Sequence, residues 1–174
     1  MNARVEAKPQ LSQSAARAFE REIAKYPLEQ RASAVIACLA VLQREHGWIS
    51  QESEELVAEA LAMPVIAVHE VTTFYNMFNQ QPVGRFKLNV CTNLPCQLRG
   101  GQHALEHLCG ALGVGEGGTT ADGEFTVQQS ECLGACADAP VLLVNDEQMV
   151  SFMTDQRLDE LVSLLRAQSA PATP

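Results

Sequence analysis

Four of the six cysteines stand in two close pairs, Cys91-Thr-Asn-Leu-Pro-Cys96 and Cys132-Leu-Gly-Ala-Cys136, with thirty-five residues between the pairs. A thiolate is a soft metal ligand and a nucleophile, so paired thiols point first to metal or redox chemistry. Each pair directly follows a segment that reads as a strand. Cysteines at the same ends of two strands can meet, because neighbouring strands lie about 4.8 Å apart. Pro95, Gly100, Gly101 and Gly134 lie in or beside these loops, and they let backbone amides come close to sulfur. Such donors suit a binuclear iron–sulfide centre, whose four thiolates leave a net negative charge for hydrogen bonds to stabilise. Structural zinc also takes four cysteines, usually with about two to four residues between ligands. Spacing alone therefore leaves iron–sulfur, zinc and four unconnected thiols open. A dithiol oxidoreductase is not among the options, since Cys-x-x-Cys is absent. Cys38 and Cys109 lie within helical patterns without a nearby cysteine, and read as small buried hydrophobes.

Two further motifs are set aside. His103-Ala-Leu-Glu-His107 matches the H-x-x-E-H string of a zinc peptidase class, but no obvious downstream carboxylate completes it. It reads as an exposed helical face. Gly113-Val-Gly115-Glu-Gly-Gly118 leaves a helix and enters a strand, the reverse of the nucleotide-binding context.

The elements that must position the cysteines come in two groups. Up to about residue 80 the chain reads as helix after helix. Ser12 or Ser14 caps a helix to Lys25, which Tyr26-Pro27 ends. Leu28, Ala32, Val35, Ile36, Leu39 and Leu42 form the apolar stripe of a second, Leu28 to His46, stopped by Gly47. Ser50 caps Gln51 to Ala62, with Glu52, Glu54 and Glu55 at the positive helix end. Pro64 opens a fourth, through Met77. After the polar turn 79–84 the rhythm changes. Phe86, Leu88 and Val90 alternate in a strand ending at Cys91, and Gln102 to Leu112 reads as a helix. Phe125–Gln129, Val141–Val144 and Gln148–Phe152 read as strands, with Asn145-Asp146 as a turn. Asp155 to Ala167 is an amphipathic closing helix, and residues 169–174 look like a disordered tail. The expected class is α+β: a helical bundle (1–80), then an α/β domain with a mixed sheet (85–168).

Composition narrows the function. Twelve basic against twenty-one acidic residues leave a formal charge of −9, which argues against a nucleic-acid partner. From Phe86 onward only four basic residues face eleven acidic ones, so the cysteines lie in the acidic half. The longest apolar run, Ala34 to Leu42, is nine residues, well short of the roughly 20 of a membrane helix. Met1 to Gln10 shows no secretory h-region, so the six cysteines are not expected to form a disulfide framework.

The chain resembles the 24 kDa-type [2Fe–2S] subunit (E-type in bacteria) of NADH:quinone oxidoreductase, respiratory complex I. The resemblance rests on Glu131-Cys-Leu-Gly-Ala-Cys136 with Ala139-Pro140 and Val144-Asn145, and on Cys91-Thr-Asn-Leu-Pro-Cys96 with Gly100. Thr120-x-Asp122-Gly123-x-Phe125, Gln43-x-x-x-Gly47-Trp48-Ile-Ser50 and Glu70-Val71-x-Thr73-Phe74-Tyr75-x-Met77-Phe78 extend it over about residues 20 to 167. It implies a thioredoxin-like second domain in which Cys91, Cys96, Cys132 and Cys136 hold a [2Fe–2S] cluster. It also implies a flavoprotein partner that binds NADH, FMN and a [4Fe–4S] cluster, with other peripheral-arm subunits around them. FMN and NADH would bind only to that partner. The expected role is a non-catalytic electron-transfer subunit on the cytoplasmic side of the bacterial inner membrane, peripheral and without direct membrane insertion. A zinc-stabilised assembly adaptor, or the equivalent subunit of an NAD-linked hydrogenase or formate dehydrogenase, are the alternatives. Phe74, Tyr75, Met77 and Phe78 read as core or as interface.

Overall fold

The computed structural model describes residues 10–169 and divides the chain into two compact units between Pro82 and Val83. The first unit is helical. It comprises α1 (Gln13–Ile23), a 3-10 segment (Leu28–Ala34), α2 (Val35–His46), α3 (Gln51–Leu61) and α4 (Val65–Phe74). Ser12 and Ser50 cap α1 and α3, their hydroxyls accepting from the amides of Ala15 and Ser53 at 3.1 and 3.2 Å. Gly47 ends α2 at φ +83°. Phe19, Cys38, Leu39, Leu42, Val57, Leu61, Val68 and Phe78 form the core. Phe78 therefore belongs to the bundle interior, whereas Phe74 is 79% exposed.

The helix expected from Leu28 is broken at its start. Gln30 has non-helical angles (φ −115°, ψ 16°), and regular α-helix begins only at Val35. The shift in phase turns Leu28, the first residue of the expected stripe, out to solvent. The fourth helix ends at Phe74 rather than Met77, and Pro64 is its N-cap residue. Glu54, one of the acids expected at the positive end of α3, lies in its first turn and is buried. Its carboxylate accepts from Thr72 Oγ1 at 2.5 Å and lies 3.0 Å from His69 Nδ1, tying α3 to α4.

The second unit is a four-stranded sheet in the order β2-β1-β3-β4. Its strands are β1 (Phe86–Cys91), β2 (Phe125–Ser130), β3 (Leu142–Val144) and β4 (Gln148–Val150), and its helices are α5 (Leu94–Leu98), α6 (Gly101–Leu112) and α7 (Asp155–Ser169). β1 and β2 are parallel and the other pairs antiparallel. Phe86, Leu88 and Val90 of β1 share a core with Phe125, Val127, Leu142 and Val144, closed by Leu105 and Leu108 of α6 and Leu158 and Leu165 of α7. Each large apolar side chain fully buried here contributes about 1.5–3 kcal/mol of transfer free energy. This is the expected architecture, with α5 added around Cys96. Ser169 is the last residue of α7 rather than the start of a tail, and 170–174 lie outside the described residues.

The other face of β1 is polar and still buried, with Lys87 2% and Asn89 5% exposed. The Lys87 ammonium pairs with Asp146, and Asn89 Nδ2 donates to the same carboxylate. Asn145 and Asp146 form the β3–β4 turn, both at positive φ (53° and 58°), the geometry a tight hairpin turn demands. Asn145 Oδ1 accepts from Lys87 N at 2.7 Å. Removing one partner of a buried pair leaves a desolvated charge. Lys87→Ala is therefore expected to destabilise the unit by about 3 kcal/mol, read as a lowered urea midpoint. A loss under about 1 kcal/mol would show that Asp146 finds water as easily as it found lysine.

Candidate metal centre

The two cysteine pairs follow the C-terminal ends of the neighbouring parallel strands β1 and β2. Cys91 is the last residue of β1 and pairs in register with Ser130, the last of β2. Both strands run the same way, so the loops that follow leave the sheet side by side. The Cys91 amide donates to Val141 O at 3.1 Å, and Thr92 N donates to Ser130 O at 3.2 Å. The chain then turns through Asn93, the N-cap residue, into α5 with Pro95 in its first turn. This short helix brings Cys96 back toward Cys91. Both are buried, and they cluster with Ala139 and Val141.

The second pair lies on an open loop. Cys132 and Cys136 are exposed, with their sulfurs 3.9 Å apart. Gly134 adopts φ +77° between them. That left-handed turn suits glycine, and it aims the Gly134 amide at Cys132 Sγ, 3.4 Å away. The Gly134 expectation from sequence is met in this donor. Gly100 also adopts a left-handed conformation, at φ +93°, before α6. Gly101 serves differently: it lies against the backbone of both cysteines of the first pair. A Cβ there would come 2.6 Å from Cys91 O and 3.0 Å from the carbonyl carbon and oxygen of Cys96.

The thiols sense one another across the two loops. Burial pushes Cys96 up to about 11, its hydrogen bond with Cys91 and the charges of Cys91 and Cys136 add to this, and a backbone hydrogen bond from Val141 opposes it. Cys136 is raised first by its hydrogen bond with Cys132, then by desolvation and by the charges of Cys132 and Cys91. A cationic centre bound here would take the place of the proton on each sulfur, at a cost that rises with the thiol pKa. Among the described residues, no three His, Cys, Asp or Glu side chains form a group that could hold a metal ion. The donors are two pairs instead, and a binuclear iron–sulfur cluster takes two ligands on each iron. The soft donor set, the pairing and the amide directed at Cys132 all fit such a cluster.

The remaining cysteines stand apart. Cys38 is fully buried in the bundle, where burial, and then the charge of Glu22, raises it to about 11. Cys109 packs partly buried against the sheet core. His103 and His107 do have carboxylate partners that sequence reading missed. Asp155 and Asp159 of α7 approach their Nε2 atoms to 3.0 and 2.8 Å. The shared four-residue spacing on two adjacent helices is the signal that could have found them. The hydrogen bond from His103 lowers the Asp155 carboxyl below its ordinary value.

A helical unit followed by a small mixed sheet, with a thiol pair after each of its two parallel strands, defines an α+β protein that bears paired thiols. The sequence pattern of thioredoxin-like [2Fe–2S] ferredoxins matches residues 19–166, and the chain belongs to that family, whose cofactor is a [2Fe–2S] cluster. It is 41% identical over 149 residues to NADH-quinone oxidoreductase subunit 2 of Thermus thermophilus, covering 86% of this chain and 82% of that protein. It is 41% identical to an E-type NADH-quinone oxidoreductase subunit of Rhizobium meliloti, over 86% of this chain and 87% of the relative. The E-type NADH-quinone oxidoreductase subunit of Rickettsia conorii is 40% identical, over 84% and 88%. These relatives are subunits of an oxidoreductase complex. Among solved structures, an air-oxidized NAD+-reducing [NiFe]-hydrogenase aligns with a TM-score of 0.64 and 25% identity over 75% of this chain. The chain spans only 23% of that hydrogenase chain. No described helix is long and apolar enough to cross a membrane.

Proposed function

We propose that this chain is the electron-transfer subunit of the NADH-oxidising module of NADH:quinone oxidoreductase, with Cys91, Cys96, Cys132 and Cys136 holding its [2Fe–2S] cluster. The observation that carries the reading is the placement of the two thiol pairs just after the same ends of the neighbouring parallel strands β1 and β2. When bound, the cluster accepts and returns single electrons. The chain's own part is to fix the donors. β1 and α5 hold Cys91 and Cys96 in a buried pocket, while Gly134 shapes the exposed loop and presents an amide to Cys132. The partner would be a flavoprotein that binds NADH, FMN and a [4Fe–4S] cluster, set among other peripheral-arm subunits on the cytoplasmic side of the bacterial inner membrane. Residues 1–80 would act as a helical domain and 85–168 as the cluster domain.

The hydrogenase likeness favours one second reading, the corresponding segment of an NAD-linked hydrogenase. Isolation of the tagged chain from its own host separates the two. The expected co-purifying protein is an NADH-oxidising flavoprotein together with quinone-reductase subunits. A nickel-bearing hydrogenase subunit would select the second reading, and a colourless, zinc-loaded chain with neither partner would defeat both.

The centre is expected to have a low potential. All-cysteine ligation keeps it low, since replacing two cysteines by histidine is what raises Rieske centres. The acidic second half disfavours an added electron as well. Lys87 does little to offset this: it stands four residues back along β1 from Cys91, roughly 13 Å at 3.3 Å per residue, and it is neutralised by Asp146. Full reduction by dithionite, and only partial reduction by NADH through the flavoprotein, is the expected titration. A midpoint potential above that of the hydrogen electrode would contradict it.

A further inference from the structure

We propose that Asn93 and Glu131 form a clasp that holds the two cysteine loops in register and fixes one negative charge beside the cluster; the proposal rests on the ligand assignment above. Asn93 lies between Cys91 and Cys96, and Glu131 directly precedes Cys132. Asn93 Nδ2 donates to Glu131 Oε2 at 3.1 Å. This bond joins the two loops where nothing in the sheet ladder can, because the β1–β2 register ends at Cys91 and Ser130. The backbone adds one more bond, Thr92 N to Ser130 O. The side chains carry the connection a residue further on each strand.

A second observation is independent of that distance. Asn93 occupies the N-cap of α5, where asparagine is among the favoured residues because its side-chain oxygen can accept a first-turn amide. It makes no such side-chain cap bond, whereas Ser12 and Ser50 both do. The amide group is turned to Glu131. The side chain at this helix start makes a cross-loop bond and no cap bond, and the cross-loop bond links the loop of one thiol pair to the loop of the other.

Neither residue is a ligand in this reading, and both are positioning residues with separable effects. The bond sets how readily the loops part, and therefore how fast the cluster is lost. The charge disfavours an added electron, and therefore lowers the potential. Glutamine at 131 keeps an acceptor oxygen for Asn93 and removes the charge; alanine removes both.

The test uses the full chain with its cluster rebuilt from iron and sulfide. Cluster loss to a chelator is followed by visible absorption, and the midpoint potential by redox titration with electron paramagnetic resonance. Asn93→Ala and Glu131→Ala should each speed cluster loss about three- to tenfold, the range expected from the net strength of one ordinary hydrogen bond. The double alanine variant should be no faster than the faster single, since one bond can be broken only once. Glu131→Gln should keep a lifetime near that of wild type while its potential moves upward. Normal cluster uptake with unchanged lifetimes, or single effects that multiply in the double variant, overturns the clasp alone. A wild-type chain that takes up no iron and sulfide overturns the cysteine assignment and the clasp with it.

Discussion

Serine in place of Cys91, Cys96, Cys132 or Cys136 is expected to abolish or severely reduce cluster assembly, whereas Cys38→Ala and Cys109→Ala should retain full iron and sulfide. Serine oxygen is a harder and poorer ligand than thiolate for iron–sulfide, and the loss of one donor leaves an iron incompletely held. The four variants should differ in a second respect that the burial of each thiol dictates. Cys91 and Cys96 are 2% and 1% exposed. A hydroxyl placed there without a partner costs about 1–3 kcal/mol in addition to the ligand, so the sheet unit itself should be less stable. Cys132 and Cys136 are exposed, and serine there should remove the cluster with little change in the stability of the cluster-free protein. Cys38→Ala opens a small cavity in the bundle, at about 1 kcal/mol, without touching the centre. Iron and sulfide analysis with urea denaturation of the six cluster-free proteins reads both effects. Full cluster uptake by Cys136→Ser, or its loss in Cys109→Ala, would refute the ligand set.

Much of this arrangement could be read from local pattern because its causes are local. Ser12, Ser50 and Gly47 mark helix ends by satisfying or releasing the terminal amides and carbonyls within one turn. Phe86, Leu88 and Val90 mark β1 because side chains alternate across a strand. The paired cysteines were legible for the same reason, each pair being a short segment attached to a strand end. The features that escaped depend on distant chain. Glu54 reads as one of three acids at a helix start, and only His69 and Thr72 on the next helix explain why it turns inward. Asp155 and Asp159 meet His103 and His107 across fifty-two residues. Lys87 reads in sequence as one of the few basic residues of the acidic second half, and only the β3–β4 turn supplies the Asp146 that neutralises it. Leu28 escaped for a different reason. A helical stripe assumes one unbroken helix, and the kink at Gln30 changes its phase.

Gly101 offers the sharpest separation between space and conformation. It is the first residue of α6, and the added methyl of an alanine there would meet Cys91 O at 2.6 Å and the Cys96 carbonyl group at 3.0 Å. All these atoms are backbone, so no rotamer change relieves the contact. α6 is itself anchored through Ala104, Leu105 and Leu108 in the sheet core. The cysteine loop must therefore give way, and the first thiol pair moves with it. Overpacking of this kind costs about 1–3 kcal/mol, and Gly101→Ala should also lower cluster occupancy. Gly110, on the exposed side of the same helix, has no atom beyond its own stretch of helix backbone within 4 Å of its Cβ position. Alanine is favoured over glycine in a helix by about 0.8–1 kcal/mol, so Gly110→Ala should stabilise the protein and leave the cluster alone. One substitution, made twice in one helix, should thus move stability in opposite directions. Denaturation midpoints and iron content of the two variants decide it. If both variants shift stability the same way and keep equal iron, close approach to the cysteine backbone is not what requires glycine at position 101.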